Sequence, residues 1–504
     1  MLFARPKSIL LLALLSRVHA LTKLSKEDSA NGFRNSFRGW SSFPLQAYDH
    51  PEHQDYGPAW FTEDNLLKQA RALQDLGNGY DYLMLDSGWS DGGEGDENGR
   101  IKPNKTIFPD FKAFSKQVHN MGLKLGVYIV PGAFNSDIVD NKPIADSQFG
   151  MSDVNTPCST DAPFPCTFGR RDLQDNPASR AWVSSVVKQF ADWEIDLIKF
   201  DYIHPKASNE SPLDDKLPDG YSNFLDVDIY HDAISASGRQ MWLLLSYNLD
   251  ISHDATERWR KSADSYRIST DVNNPVDGKS VPAGITTMVS WFAIQKMSEA
   301  LRIYMSAQLS ETRNLKGFAD VDSLMIGNTG FLNGLSAAQR MTYMGLWAMS
   351  GAPMYLGDDL TKIDDAYRPW LTKKEVLEIH DDWTSQESPG IYVNPDGSRN
   401  PSQLQIWEAG PFGDDEEVVV LLANMGCTER ADRYEPPWGS NCQPGGQNVV
   451  ATYEVLQLQG RYCVRDVWAS EDTGAADTQV SKVLDEGQSV LYRMTPNGKG
   501  GKNC

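Results

Sequence analysis

The sequence predicts an α/β fold, a (β/α)8 TIM barrel, followed by a C-terminal antiparallel β-sandwich domain. From about residue 33 to 385, short apolar strand-like runs alternate with amphipathic helices, as in a parallel sheet covered by helices. After Trp383, short strand-like runs are separated by turns rich in Gly, Pro and Asp. No GxGxxG turn follows the first strand candidate, which favours the closed barrel over an open doubly wound sheet. We therefore expect a barrel over 21–387 and a sandwich over 388–504, after a signal peptide at 1–20.

The individual elements are predicted from the spacing of apolar residues. Helices are expected over about 66–76, over about 111–121 with Asp110 as N-cap and Gly122 at the C-terminal end, and from Pro177. Barrel strands are expected at 82–86, 123–130, 195–201, 241–246, 266–268, 323–326 and 353–356, and sandwich strands at 403–407, 417–422, 451–456 and 489–494. Long segments follow the strands at 132–175, 203–225 and 272–287. Barrel enzymes build their active sites at that end of the strands.

Residues 1–20 have the pattern of a secretory signal peptide. Arg5 and Lys7 precede an apolar run at 9–15, and cleavage is expected near Ala20. The run is far shorter than the ~20 residues that a membrane-spanning helix requires. Loss of Arg5, Lys7 and Arg17 would change the formal net charge from -21 to -24. The sequence thus predicts a secreted protein, and the alternative is a buried N-terminal helix.

Cysteine and asparagine positions agree with export. Cys158 and Cys166 lie close enough in sequence to form a disulfide that closes one loop. The other cysteines allow three pairings, and they are Cys427, Cys442, Cys463 and Cys504. Asn104 and Asn209 each begin an N-x-S/T triplet, the acceptor for N-glycosylation. These features are typical of proteins from oxidising compartments.

The composition excludes several functional classes. The chain has 47 Lys and Arg against 68 Asp and Glu, and such an acidic protein repels nucleic-acid backbones and anionic membranes. Eight scattered His and no CxxC pair argue against a zinc or iron–sulfur site, and no cofactor or metal is predicted. The 14 Trp, 19 Tyr and 19 Phe argue against disorder. The sequence therefore predicts a globular protein without a nucleic-acid or membrane partner, and it makes no prediction of the oligomeric state.

Charged residues follow apolar strands at several points. In IDLIKFD (195–201), alternation along the strand places Lys199 and Asp201 on one face, where an unmatched charge in a packed interior is costly. Asp86 ends the strand at 82–86, and Arg267 and Asp271 follow the same pattern in SYRISTDV (265–272). Glycoside hydrolysis uses two carboxylates and no metal. The aromatic residues that can stack on a sugar are Trp40, Trp89 and Tyr128. The alternative reading of these charges is a set of structural ion pairs at the barrel rim.

These motifs resemble glycoside hydrolase family 27, the α-galactosidases and α-N-acetylgalactosaminidases, which use a (β/α)8 barrel and a C-terminal β-sandwich. The resemblance covers nearly the whole chain after residue 20. Its motifs are Gly39-Trp40, YLMLDSGW (82–89), LKLGVYIVPG (123–132), DLIKFDY (196–202), YRISTDV (266–272), FADVDSLMIGN (318–328), LSAAQRMTYMGLWAMSGAPMYLGDDL (335–360) and YCVRDVWASEDTG (462–474). The run at 335–360 is the most specific of them.

The resemblance implies a role for each candidate residue. Asp201 matches the nucleophile and Asp271 the acid/base of a two-step retaining mechanism, with the carboxylates ~5–5.5 Å apart. Lys199 is implied in the sugar site beside the nucleophile, and Arg267 at the 2-hydroxyl side of the sugar, holding Asp271. The remaining implied pocket residues are Trp40, Asp86 and Tyr128, with Asp322 near the mouth.

Two positions depart from the family pattern. Ser87 stands where the family usually has a second acid that grips the axial 4-hydroxyl of galactose, and Asn248 stands where a Glu usually reads the 2-hydroxyl. Tyr202 and Ile203 stand where a Cys often follows the nucleophile. We expect a secreted retaining α-galactosidase that releases terminal α-D-galactose from oligo- or polysaccharides. The alternatives are the same mechanism on α-glucans (isomaltose release) or β-L-arabinopyranosides, a non-catalytic carbohydrate-binding protein, and a structural extracellular protein.

Overall fold

The computed structural model describes residues 25–48, 55–154, 169–206, 220–273, 287–311, 314–382, 391–398, 400–427, 438 and 442–504. The predicted signal peptide, Cys158, Cys166, Asn209 and the predicted domain boundary at 387/388 lie outside the described residues. In chain order the strands are β1 Ser25–Glu27, β2 Arg38–Ser41, β3 Tyr80–Leu85, β4 Lys124–Ile129, β5 Ala133–Phe134, β6 Arg170–Arg171, β7 Leu197–Phe200, β8 Trp242–Leu245, β9 Ser265–Arg267, β10 Asn314–Lys316, β11 Phe318–Asp320, β12 Met354–Leu356, β13 Ile391–Val393, β14 Leu404–Phe412, β15 Glu417–Asn424, β16 Gln447–Thr452, β17 Tyr462–Asp466, β18 Glu471–Ala476, β19 Gln479–Leu484 and β20 Ser489–Pro496.

The helices occupy the intervals between the barrel strands. They are α1 Phe43–Ala47, α2 Glu63–Leu76, α3 Phe111–Asn120, α4 Asn135–Val139, α5 Pro177–Asp192, α6 Phe224–Ser237, α7 His253–Ser262, α8 Trp291–Glu311, α9 Ala337–Ser350, α10 Arg368–Leu371 and α11 Lys374–Asp382. The Asp110 carboxylate accepts a 2.9 Å hydrogen bond from the Ala113 amide, which confirms the predicted N-cap of α3. Pro177 begins α5 as predicted, because proline suits the first helical turn. No helix in the described ranges is long and apolar enough to span a membrane.

Eight parallel strands form a closed barrel, as the sequence predicts. Their order in the sheet is β11-β9-β8-β7-β4-β3-β2-β12, and the seven pairings between neighbours are all parallel. A parallel bridge between Leu324 and Leu356 joins the segment after β11 to β12, which closes the sheet. All eight strands therefore direct their C-terminal ends to one face of the barrel, where such folds carry their active sites.

The inner face of the barrel changes from apolar to charged along three strands, β3, β7 and β11. Its lower part is an apolar cluster formed by Phe37, Tyr82, Met84, Leu197, Trp242, Leu244, Phe318 and Tyr355. Two residues further along the same faces lie Asp86, Lys199 and Asp320. The outward residues Ile198 and Phe200 of β7 belong to the larger core between the barrel and its helices. The packed lower layer thus forms a floor beneath a polar upper layer.

The C-terminal region is an antiparallel sandwich that packs on the barrel. A six-stranded sheet in the order β13-β14-β15-β20-β17-β18 and the β16–β19 pair share one apolar core. The structure selects one of the three possible cysteine pairings, Cys427–Cys442 and Cys463–Cys504. Arg465 binds both oxygens of Glu375 in α11, at 2.8 and 3.0 Å, and so ties the sandwich to the barrel.

The structure corrects three element predictions. The seventh barrel strand is β11, Phe318–Asp320, whereas the predicted run 323–326 contains only the bridge at Leu324. The first barrel strand, β2, was not predicted, because RGWS contains no apolar run. In the sandwich, the predicted strand 451–456 is wrong beyond Thr452, where β16 ends and a turn begins.

Candidate active site

A cavity of about 330 Å³ opens at the C-terminal ends of the barrel strands. The predicted site residues that line it are Asp86, Ser87, Tyr128, Lys199, Asp201, Asn248 and Asp271. These residues come from the ends of β3, β4, β7, β8 and β9 and the segments that follow them. The barrel therefore brings to one cavity side chains that are far apart in the sequence.

Lys199 is the buried cation of the cavity. Its ammonium group lies 2.6 Å from an Asp86 carboxylate oxygen, and only 8% of the residue is exposed. Burial alone lowers the pKa of Lys199, but the negative charges of Asp86 and Asp201 outweigh it, so the pKa is raised. Lys199 thus stays protonated and places a positive charge near Asp86 and Asp201.

Residues of α1 and its N-terminal end hold the Asp86-Ser87 segment in place. The Asp86 amide donates to Ser42 Oγ at 2.9 Å, and Ser42 Oγ donates to Gln46 Oε1 at 2.7 Å. Gln46 Nε2 in turn donates to the Ser87 carbonyl at 2.6 Å. The backbone at Ser87 is therefore fixed by hydrogen bonds, while its side chain faces the cavity.

Asp271 also lines the cavity, and its pKa is raised. The pKa of Asp271 is raised to about 6. Desolvation by burial is the largest cause, and the negative charge of Asp322 is the next. The positive charges of Arg267 and Lys199 oppose this shift. The side chain is still 46% exposed to the cavity, so water weakens the effect of crowding until a substrate fills the space. Asp271 is a carboxylic acid that can carry a proton under mildly acidic conditions.

Arg267 holds Asp271 from beneath the cavity. Its guanidinium lies 3.1 Å from an Asp271 oxygen, 3.0 Å from Asp320 and 3.2 Å from Asp322, and it donates to the Tyr355 hydroxyl at 2.9 Å. Burial lowers the pKa of Arg267, but the charges of Asp320 and Asp322 outweigh it and raise the pKa well above its usual value. Arg267 is only 1% exposed and does not line the cavity, so its contact with the cavity residues is the one it makes with the Asp271 carboxylate.

Three aromatic and acidic candidates lie behind the cavity wall. Trp40 is buried, and its indole nitrogen donates to the Asp358 carbonyl at 2.8 Å. Trp89 is also buried and donates to the Tyr128 carbonyl at 2.6 Å. Asp322 accepts a 2.7 Å hydrogen bond from the Val272 amide, next to Asp271. These residues support the cavity without lining it.

Sequence reasoning missed several residues that line the cavity. They are Phe43, Tyr202, Lys206, Ser246, Tyr247 and Thr270. All six follow a barrel strand by one to six residues, so a position shortly after a strand end is the signal that could have identified them. The Lys206 ammonium lies 4.4 Å from the centre of the Tyr247 ring, and the Tyr202 and Tyr247 rings lie 5.0 Å apart. Asn104, the described glycosylation candidate, lies outside this cavity and is partly exposed.

Comparison with known proteins assigns the chain to a family. Residues 61–137 and 166–382, more than half of the chain, match the family described as Alpha galactosidase A. The chain belongs to this family. It is 28% identical to Alpha-galactosidase 3 of Hypocrea jecorina over 482 residues, which cover 92% of this chain and 71% of the relative. The family and its relatives make the chain a glycoside hydrolase of the α-galactosidase family.

Solved structures support the fold. A GH27 β-L-arabinopyranosidase from Geobacillus stearothermophilus superposes with a TM-score of 0.71 at 20% identity, covering 93% of this chain and 98% of that one. Alpha-galactosidase I from Mortierella vinacea superposes with a TM-score of 0.62 at 17% identity, covering 92% and 98%. At these identities the likeness establishes the barrel-plus-sandwich architecture of this glycosidase.

Proposed function

We propose that the chain is a secreted, retaining α-galactosidase that removes terminal α-D-galactose. The observation that carries this proposal is the placement of Asp201 and Asp271 in one cavity, where Asp271 has a raised pKa and Asp201 lies near Lys199. Lys199 places a positive charge near Asp201, and burial together with the negative charge of Asp322 raises the pKa of Asp271 to about 6. A retaining glycosidase needs one ionised carboxylate and one protonated carboxylic acid at the start of its reaction.

Each carboxylate has a defined part in the two steps. In the first step, an Asp201 oxygen bonds to the anomeric carbon while the glycosidic C–O bond breaks and the Asp271 proton passes to the leaving oxygen. In the second step, Asp271 takes a proton from water, the water oxygen bonds to the anomeric carbon, and the bond to Asp201 breaks. The configuration at the anomeric carbon is retained because it is inverted twice.

Two cavity residues bear on which sugar the site selects. Ser87 and Asn248 line the cavity where the family pattern has acids. A site that reads one hydroxyl discriminates strongly between sugars, so these residues are the observation that favours a second candidate. That candidate is the same mechanism on an α-glucan or a β-L-arabinopyranoside. The substrates that separate the candidates are melibiose, isomaltose and a nitrophenyl β-L-arabinopyranoside.

The first test is release of galactose from melibiose by the wild type and by Asp201→Asn. We expect galactose from the wild type and none from the variant, with the matched control Asp81→Asn active, because Asp81 lies on β3 outside the cavity and pairs with Lys124 at 3.1 Å. A fluorinated galactosyl fluoride, which slows the second step, should add its sugar mass to the peptide that contains Asp201. Labelling elsewhere, or inverted product by NMR, would refute the assigned nucleophile.

Asp271→Asn tests the acid role separately. We expect hydrolysis of melibiose to fall by about 10²–10⁴-fold. The loss should be much smaller for nitrophenyl galactoside, because nitrophenolate leaves without a proton from the enzyme. Equal losses on both substrates would show that Asp271 is not the proton donor.

Export is proposed from the N-terminal pattern at 1–20. The two described disulfides support it, since such bonds persist in oxidising compartments. Expression of the full chain in a eukaryotic host should give protein in the medium whose N-terminus follows Ala20. Retention in the cell with an intact N-terminus would refute this part of the proposal.

A further inference from the structure

A second chamber of about 310 Å³ adjoins the catalytic cavity. The two share Ser87, Tyr128 and Tyr202, which form the partition between them. The second chamber lies beside the ends of β3 and β4, and its volume is close to that of the catalytic cavity, about 330 Å³. It is therefore placed to receive the unit bonded to the sugar in the catalytic cavity.

Arg170 of β6 lines this second chamber, although only 9% of the residue is exposed. Strand β6 pairs with β5, and Arg170 lies opposite Phe134 in that pair. The guanidinium carbon lies 3.5 Å from the centre of the Phe134 ring, and Nη1 donates to the Gly132 carbonyl at 3.1 Å. These contacts fix the plane of the guanidinium and occupy only one of its nitrogen atoms as a hydrogen-bond donor.

Within the described residues, Arg170 has no carboxylate within 4.0 Å. The carboxylate with the largest effect on the pKa of Arg170 is that of Asp137. This carboxylate already lies 2.6 Å from Lys142 and accepts a hydrogen bond from the Gly95 amide at 2.8 Å. Arg340, another buried arginine without a carboxylate partner, donates to four backbone carbonyls, whereas Arg170 donates to one. Burial lowers the pKa of Arg170 to about 10, so the side chain is still a cation at neutral and acid pH.

The rest of the chamber suits a hydroxylated anion. Among the described residues, its lining contains no acid, although the whole chain has a formal charge of -21. Hydroxyl-bearing side chains at the partition and at Ser90 can bind sugar hydroxyls, and Ile101, Ile129 and Val130 can pack on the apolar face of a ring. A buried guanidinium with free donors is the usual protein group for holding a carboxylate through paired hydrogen bonds.

We propose that the second chamber binds the leaving-group sugar, and that this sugar carries a carboxylate held by Arg170. The natural substrate is then a glycan in which the released sugar is bonded to an acidic sugar such as a uronic acid. This inference rests on the proposed function for the position of the bond that breaks. Binding of a carboxylate in the second chamber does not require catalysis, so it can be measured without following the reaction.

Binding of methyl glucuronide and methyl glucoside to the full-length wild type, measured by calorimetry, tests the site directly. We expect the glucuronide to bind about 10- to 100-fold more tightly, the range for hydrogen bonds to a charged group. Equal binding, or no glucuronide binding, overturns the proposal on the unaltered protein.

Substitution of Arg170 then assigns the carboxylate contact. Arg170→Met should lose the preference for glucuronide, and Arg170→Lys should keep part of it because the charge remains. The matched control is Arg171→Met, since Arg171 is adjacent, does not line the chamber and donates to Asn135 at 2.6 Å. Full preference in a folded Arg170→Met protein overturns the assignment. If that variant does not fold, Arg170→Lys decides the question. Lysine cannot form the paired hydrogen bonds of a guanidinium, so an unchanged preference for the glucuronide would overturn the assignment.

Hydrolysis of melibiose and of melibionate, its oxidised form with a carboxylate on the leaving sugar, tests the position of the chamber. We expect kcat/KM to favour melibionate by about tenfold in the wild type and to favour neither in Arg170→Met. Glucuronide binding without galactose release from either substrate refutes the α-galactosidase proposal and leaves the carboxylate site intact. Galactose release without a preference for melibionate refutes the leaving-group position of the chamber.

Discussion

Asp322→Asn should shift the pH dependence of catalysis without altering any residue that lines the cavity. The Asp322 carboxylate raises the pKa of Asp271, and Asp322 also shares Arg267 with it at 3.2 Å. Asparagine is the matched replacement because Asp322 has a φ of 67°, a left-handed conformation that asparagine tolerates. Its amide oxygen can still accept from the Val272 amide, so the backbone next to Asp271 keeps its anchor.

The size of the shift follows from the environment of Asp271. The pKa rises from 3.8 to about 6, with crowding as the largest cause and the charge of Asp322 as the next. Asp322 therefore accounts for less than half of the combined upward effect, and water screens charges in a cavity that leaves Asp271 46% exposed. Removing the charge should lower the pKa of Asp271 by about 0.5 to 1 pH unit.

The assay is kcat/KM for melibiose between pH 4 and pH 8. Asp271 must be protonated in the first step, so activity falls as pH rises through its pKa, and lowering that pKa moves the basic limb to lower pH. The wild-type limb is expected near pH 6, and the Asp322→Asn limb near pH 5 to 5.5. Asp81→Asn should leave the limb unchanged. An Asp322→Asn limb that stays in place or moves to higher pH would refute the electrostatic assignment of Asp271.

Further predictions concern the buried charges and the disulfide. Lys199→Met should abolish galactose release and lower the unfolding free energy by about 3–5 kcal/mol, because Asp86 is left buried and unpaired; Lys199→Met/Asp86→Asn should recover stability in urea unfolding but not activity. Glu408 is buried in β14, one oxygen has no hydrogen-bond partner, and burial raises its pKa well above 4.5. Wild type therefore loses stability as pH rises above about 4.5, so Glu408→Gln should gain about 1–3 kcal/mol at pH 7 and nothing at pH 4. Replacing both Cys463 and Cys504 by Ser should cost about 4 kcal/mol, given the separation of 41 residues, as measured by denaturant unfolding.

The barrel was predictable because most of its strands are short apolar runs between amphipathic helices. β11 was misplaced for a physical reason. Its inward residues are Phe318 and Asp320, and Asp320 binds Arg267 at 3.0 Å inside the barrel, so the strand does not look apolar in sequence. The neighbouring run 323–326 is apolar because it packs in the core outside the barrel. An apolar run in the sequence therefore indicates burial in an apolar core. Near the C-terminal ends of these barrel strands, side chains that point into the barrel are buried but not always apolar.

The site was predictable to the extent that its residues end strands. Alternation along β7 places Leu197 in the apolar floor and Lys199 above it, and the same rule leads to Asp86 at the end of β3. Alternation cannot reveal Arg170, because it lies in a two-residue strand between long segments, far in sequence from any barrel strand end. Its approach to Ser87 and Tyr128 depends on the pairing of β6 with β5, which no local pattern encodes.

Ser87 and Arg170 have connected electrostatic effects. The resemblance places an acid at the position of Ser87, and an acid there would put a negative charge on the partition between the catalytic cavity and the second chamber. Such a charge would repel a carboxylate in the second chamber and would offset part of the positive charge of Arg170. Serine carries no such charge, and the Arg170 guanidinium has no carboxylate partner within 4.0 Å among the described residues. Ser87, one of the two residues that depart from the family pattern, is thus the one whose neutrality favours a carboxylate on the leaving sugar.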